Sequence, residues 1–172
     1  MHSSQICLLR FQMKRLASIL PILFLLAAAV DAAPIIVVVR HAEKASTGGN
    51  DPELSVAGQK RAEALARILK DSQITAVFVT EFKRTQQTAA PTARAAHLTP
   101  TVISSGNTRE LVSKLRELNG NGLVVGHGNT IPDLVKELGI ATPITILEDD
   151  YKEIFLVSLT DSPQLLRLQY PL

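Results

Sequence analysis

The stretch "VVVRHAEK", Val37–Lys44, closes a run of five branched apolar residues, Ile35–Val39, with an arginine and a histidine. Such a run, apolar on both parities, is what a strand covered on both faces needs. Three further runs of strand length repeat the pattern at Ala76–Thr80, Leu123–Val125 and Ile154–Leu159, with weaker ones at Thr101–Ile103 and Leu165–Leu168. Between them lie stretches of helical spacing. Ser55–Leu69 puts Ala62, Leu65, Ile68 and Leu69 on one stripe, with Ser55 as N-cap. Lys83–Ala96 is also expected to be helical, with a kink at Pro91, where a backbone hydrogen bond is lost. Arg109–Leu118 and Ile131–Leu138 complete the set, the latter stopped by Gly139. The alternation predicts one three-layer α/β/α domain around a mostly parallel sheet.

The first 32 residues are read apart from that domain. Arg10, Lys14 and Arg15 precede an apolar run of 15 residues, Leu16–Val30, followed by the small-residue stretch "AAAVDAAP". This is the layout of a secretory signal peptide, and the run is shorter than the roughly 20 residues of a membrane span. The expected organisation is therefore a signal peptide over 1–32 and a single domain over 33–172, periplasmic or secreted. An uncleaved anchor is the competing reading. Removing 1–32 takes away three of 18 basic and one of 16 acidic residues, leaving 15 of each. This balance gives no electrostatic reason to expect nucleic acid or an anionic membrane as partner. The single cysteine, Cys7, lies in the removed part, so the domain must be stabilised by its core rather than by disulfides.

In open α/β sheets ligands gather where strands end and helices begin. Three such junctions carry polar residues: "RHAEK" (40–44), "TEFKRTQQTA" (80–89) and "GHGNT" (126–130). Arginine holds a permanent charge and can engage two phosphoryl oxygens at once, while neutral imidazole offers an unprotonated nitrogen near neutral pH. Arg40 and Arg84 are thus candidate phosphate ligands, and His41 a candidate nucleophile with His127 opposite it. Gly126 and Gly128 beside His127 are expected to allow close approach and unusual dihedrals.

The three junctions together resemble the histidine phosphatase superfamily, also called phosphoglycerate mutase-like. Arg40-His41 is similar to the family's Arg-His pair after its first strand, and "DPELSVAGQKRAEALA" (51–66) to its Leu-Ser/Thr-x-x-Gly-x-x-x-Ala approach to the first helix. Arg84 is similar to its second phosphate arginine and His127 to its second histidine. The resemblance runs from Ile35 to about Leu159. It implies the family fold and hydrolysis of phosphomonoesters through a phosphohistidine on His41, with the phosphate ringed by Arg40, His41, Arg84 and His127 and with no cofactor or metal. Many relatives place an acidic proton donor in an inserted cap, which this chain lacks. Glu43 is the favoured donor here, with Glu81 and the "EDDY" cluster (148–151) as alternatives. The short bacterial phosphohistidine phosphatases of the superfamily resemble this chain in lacking the cap and its acid.

Other readings are open at this point. His41, Glu43 and His127 could form a zinc set, but this would leave two arginines idle beside a dication. A secreted binder of phosphorylated ligands, or an inactive relative, would share the cage without turnover. A phosphomutase would need a more closed site than so short a chain readily builds. Export favours small phosphate esters or phosphorylated envelope sugars as substrates.

Overall fold

The computed structural model describes residues 33–170; the signal-peptide reading of 1–32 lies outside the described residues. The elements follow the sequence pattern closely: β1 (Ile35–Arg40), α1 (Val56–Ile68), β2 (Ile74–Val79), α2 (Lys83–Ala95), β3 (Thr101–Val102), α3 (Thr108–Arg116), β4 (Asn121–Gly126), α4 (Ile131–Glu137), β5 (Glu153–Ser158) and β6 (Gln164–Gln169). They form one six-stranded sheet in the order β3-β2-β4-β1-β5-β6. The first four in that order are parallel and the last two join antiparallel.

Period-two alternation assigns side chains to two cores. Ile36, Val38, Phe78 and Val124 face α3 and α4, meeting Leu115, Leu134 and Leu138. Val37, Val39, Val77, Val79, Leu123 and Val125 face α1 and α2, meeting Leu65, Ala89 and Ala93. β1 is buried on both faces because β4 and β5 flank it while helices cover it above and below. Fully burying a branched side chain stabilises the fold by about 1.5–3 kcal/mol each, so this central run also anchors whatever is attached to its end.

The helix ends carry the expected caps. Ser55 Oγ accepts from the Gly58 N–H at 3.1 Å, and Gly139 has φ +102°, the left-handed turn that stops α4. Pro91 lies buried inside α2, and the helix continues through it to Ala95. The lost bond falls two turns beyond the first turn, where Arg84 sits. Among the described residues no helix is long and apolar enough to cross a membrane.

Register brings the three polar junctions to one edge. Arg40 pairs with Gly126 and Val79 with Val125, so the residues just past the three strands, His41, Thr80 and His127, emerge side by side. The approach to α1 is locked against the first of them, since the Glu43 carbonyl accepts from the Ser55 N–H at 2.9 Å. A Cβ on Gly58 would collide with that same carbonyl oxygen, which explains glycine at this place in α1. Gly58→Ala is therefore expected to lower unfolding free energy by about 1–3 kcal/mol in urea titrations. Gly106→Ala, where a Cβ would meet open space, should change it by less than about 0.5 kcal/mol.

Candidate active site

His41 leaves β1 with its backbone N–H donating to the Gly126 carbonyl at 2.9 Å. Its ring Nδ1 lies 2.8 Å from the Ala42 carbonyl oxygen. A carbonyl can only accept, so the ring proton sits on Nδ1 and the neutral ring presents Nε2 with a bare lone pair. The side chain is only 5% exposed. Burial lowers its pKa to about 4, with the Ala42 bond opposing and His127, Arg40 and Arg84 adding to the depression. At neutral pH the ring is uncharged and oriented.

The second ring, His127, stands 5.3 Å away, centroid to centroid and at 62°. Its Nε2 is 3.0 Å from Thr80 Oγ1, which in turn is 2.9 Å from Thr85 Oγ1. Thr130 Oγ1 accepts from its backbone N–H at 3.1 Å. Burial, then Arg84, lowers its pKa to about 4; Glu81 opposes this and Arg40 adds to it. Desolvation and the neighbouring guanidinium groups of Arg84 and Arg40 keep this ring neutral at pH 7. A bound phosphoryl dianion would reverse that balance and draw a proton onto it.

The glycines beside His127 also act differently from expectation. Neither Gly126 nor Gly128 has a positive φ. A Cβ on Gly128 would rest in ordinary van der Waals contact, 3.7 Å from both Cζ and Nε of Arg40, so neither dihedral strain nor a clash requires glycine there.

Arg40 is 8% exposed. Its Nη1 donates to the carbonyls of Leu147 (2.7 Å) and Asp150 (3.4 Å), and its Cζ lies 4.4 Å from the Tyr151 ring centroid. Its Nε is buried with no hydrogen-bond partner. Leaving such a donor unmet costs about 1–3 kcal/mol, which an anion at this spot would recover. Arg84, on the first turn of α2, stacks over Phe82 with Cζ 4.2 Å from the ring centroid, and its Nη1 is 3.8 Å from Asp51 Oδ1. Phe82 also meets the His127 ring edge-on at 5.3 Å.

Glu43 is not available as the proton donor. Arg61 Nε donates to both of its carboxylate oxygens at 2.9 Å, and Nη2 to Oε1 at 2.7 Å. Its pKa is lowered: burial pushes it up, but the Arg61 bonds prevail. An acid held ionised this way is a poor donor and serves to fix the loop behind His41. Glu81 is likewise taken up by Ser105, whose N–H and Oγ each lie 2.8 Å from one carboxylate oxygen. Gln87 Oε1 accepts from the Leu54 N–H and Thr88 Oγ1 from the Ala42 N–H, so both tie α2 to the segment between β1 and α1.

Four participants escaped the sequence reading: Thr80, Phe82, Arg61 and Tyr151 as a partner of Arg40. Arg61 did leave a signal, since it falls with Gly58, Ala62 and Leu65 on the buried stripe of α1. Thr80 left one too, a hydroxyl at the same strand-end position that holds Arg40-His41 in β1.

A family model described as the histidine phosphatase superfamily (branch 1) matches residues 36–110, the span that carries Arg40, His41 and Arg84. Over that span the chain is similar to the histidine phosphatase superfamily. Solved structures with the same fold include the protein histidine phosphatase SixA complexed with tungstate, at 21% identity and TM-score 0.66 over 78% of this chain and 96% of that one. A mycobacterial glucosyl-3-phosphoglycerate phosphatase in complex with inorganic phosphate is 17% identical, with TM-score 0.63 over 80% of this chain and 97% of that one. Mycobacterial hydrolase 1 is 16% identical, with TM-score 0.65 over 81% and 100%. No curated protein matches the chain by sequence.

The neutral histidine pair makes stability depend on pH. Between pH 6.5 and 4 the unfolded chain takes up protons that folded His41 and His127 refuse. Stability should therefore fall as pH drops through that window, by at most about 3 kcal/mol per histidine. Thermal melting from pH 7 to 4.5 should show this decline, with a shallower slope in His127→Asn and in saturating inorganic phosphate. A slope unchanged by either would contradict the assigned protonation states.

Proposed function

We propose that the protein is a phosphomonoesterase that works through a phosphohistidine on His41. The observation that carries this is the bare Nε2 of a buried, neutral imidazole, oriented by the Ala42 carbonyl and bordered by Arg40, Arg84 and His127. In the first step Nε2 attacks phosphorus while the ester oxygen departs, so the N–P bond forms as the O–P bond breaks. Arg40 and Arg84 offset the charge on the peripheral oxygens, acting more strongly in a dry site than in water. Water then attacks the phosphohistidine, releasing inorganic phosphate and restoring the ring.

The departing oxygen needs a proton. With Glu43 and Glu81 engaged by Arg61 and Ser105, the group placed to supply it is His127, charged by the bound phosphoryl group. That arrangement suits esters with acidic leaving groups best. It also predicts that a bound, doubly charged ester brings a proton in with it. Sequence-level export signals make small phosphate esters or phosphorylated envelope sugars, met in the periplasm or outside the cell, the proposed substrates. No nucleic acid is proposed as partner, and no metal or organic cofactor is required by these steps.

Hydrolysis of para-nitrophenyl phosphate in the presence of EDTA tests this reading. The expected result is EDTA-insensitive release of phosphate that falls at least about a thousandfold in His41→Ala, which removes the nucleophile. Arg84→Ala should raise KM as well as lower kcat. Activity abolished by EDTA would point to metal-dependent chemistry. Phosphate binding without turnover would make the protein a binder of phosphorylated ligands.

A further inference from the structure

The ten residues between Ile140 and Tyr151, part of the link from α4 to β5, contain no helix or strand. Ile144 and Ile146 pack against the α3/α4 core, so this segment is anchored, and its far end lies over Arg40. We propose that Tyr151 is a positioning residue for Arg40: together with the Leu147 and Asp150 carbonyls, its ring clamps one edge and one face of the guanidinium. Nη2, neither buried nor hydrogen-bonded among the described residues, is left for phosphoryl oxygens. The proposal rests on the phosphate-pocket reading given above.

The geometry of the clamp supports this division. Both carbonyls accept from Nη1, so they engage one of the two terminal nitrogens and leave Nη2 without an acceptor among the described residues. The Tyr151 ring covers a face at 4.4 Å, within the range of a cation–π contact. Nε remains buried and unpartnered, beside Gly128 of the His127 loop. The same Tyr151 ring is centred 6.0 Å from the His41 ring, so the clamp and the nucleophile share one wall.

The chemistry of the clamp separates Arg40 from Arg61 and Arg84. Arg61 is neutralised by the Glu43 carboxylate, and Arg84 has Asp51 at 3.8 Å. Among the described residues Arg40 forms no ion pair with a carboxylate; its partners are carbonyl dipoles and a ring quadrupole. Neutral partners fix a cation without cancelling its charge, so Arg40 presents its full charge to the ligand.

Calorimetric titration with tungstate, an oxyanion that needs no turnover, provides the test, with kcat/KM measured beside it. Tyr151→Leu should weaken tungstate binding and lower kcat/KM by about tenfold, the size of a desolvated cation–π contact. Tyr151→Phe, which keeps the ring, should stay within about twofold of wild type. Pentafluorophenylalanine at position 151 keeps the ring's shape but reverses its quadrupole, and should behave like Tyr151→Leu even if the leucine variant folds poorly. In an Arg40→Ala background all three replacements should have less than about a twofold effect.

Equal losses with and without Arg40, a pentafluoro variant that binds like wild type, or a phenylalanine variant as weak as leucine would each overturn the proposal. A wild-type protein that binds no tungstate would instead sink the phosphate pocket itself.

Discussion

A single hydrogen bond, from His41 Nδ1 to the carbonyl of the very next residue, Ala42, at 2.8 Å, sets the chemistry of the whole edge. It selects the tautomer, aims Nε2 outward and removes the ring's freedom to turn. The bond holds because both of its ends are tied down. The Ala42 N–H donates to Thr88 on α2, the Glu43 carbonyl receives the start of α1, and the Glu43 side chain is held by Arg61. Helices α1 and α2 thus do for His41 what a dedicated scaffold loop would do in a larger protein.

Electrostatics explains why both imidazoles of the site are neutral at pH 7. Two guanidinium groups and two imidazoles share a buried pocket, and protonating either ring there adds a third positive charge in a poorly solvated place. Both histidines consequently titrate near pH 4. His41 is therefore unprotonated over the whole neutral range, as the proposed nucleophile must be, and in the proposed reaction His127 acquires its proton with the ligand. Charge is supplied in graded form: Arg61 is fully compensated, Arg84 partly so, and Arg40 is held only by neutral groups.

Much of this was legible in the sequence where local rules act. The double-sided apolar run Ile35–Val39 fixed the central strand, Ser55 and Gly139 marked helix ends, and the four core residues could be placed because each follows a strand of the same parallel set. What stayed hidden depends on tertiary distance. Tyr151 and the Leu147 carbonyl reach Arg40 across more than 100 residues of chain, from a segment with no periodicity to read. Glu43 looked like an acid by its nearness to His41, and only the buried face of α1, which brings in Arg61, shows that its charge is spent. The protonation state of His127 was equally out of reach, because it follows from burial and from two arginines contributed by other elements.

The covalent intermediate is the most direct measure of this account. Rapid acid-free quenching of the protein with a radiolabelled phosphomonoester should trap a label that is stable in base and lost in acid, present in wild type and absent from His41→Ala. A label that survives acid, or one that persists when His41 is replaced, would contradict it.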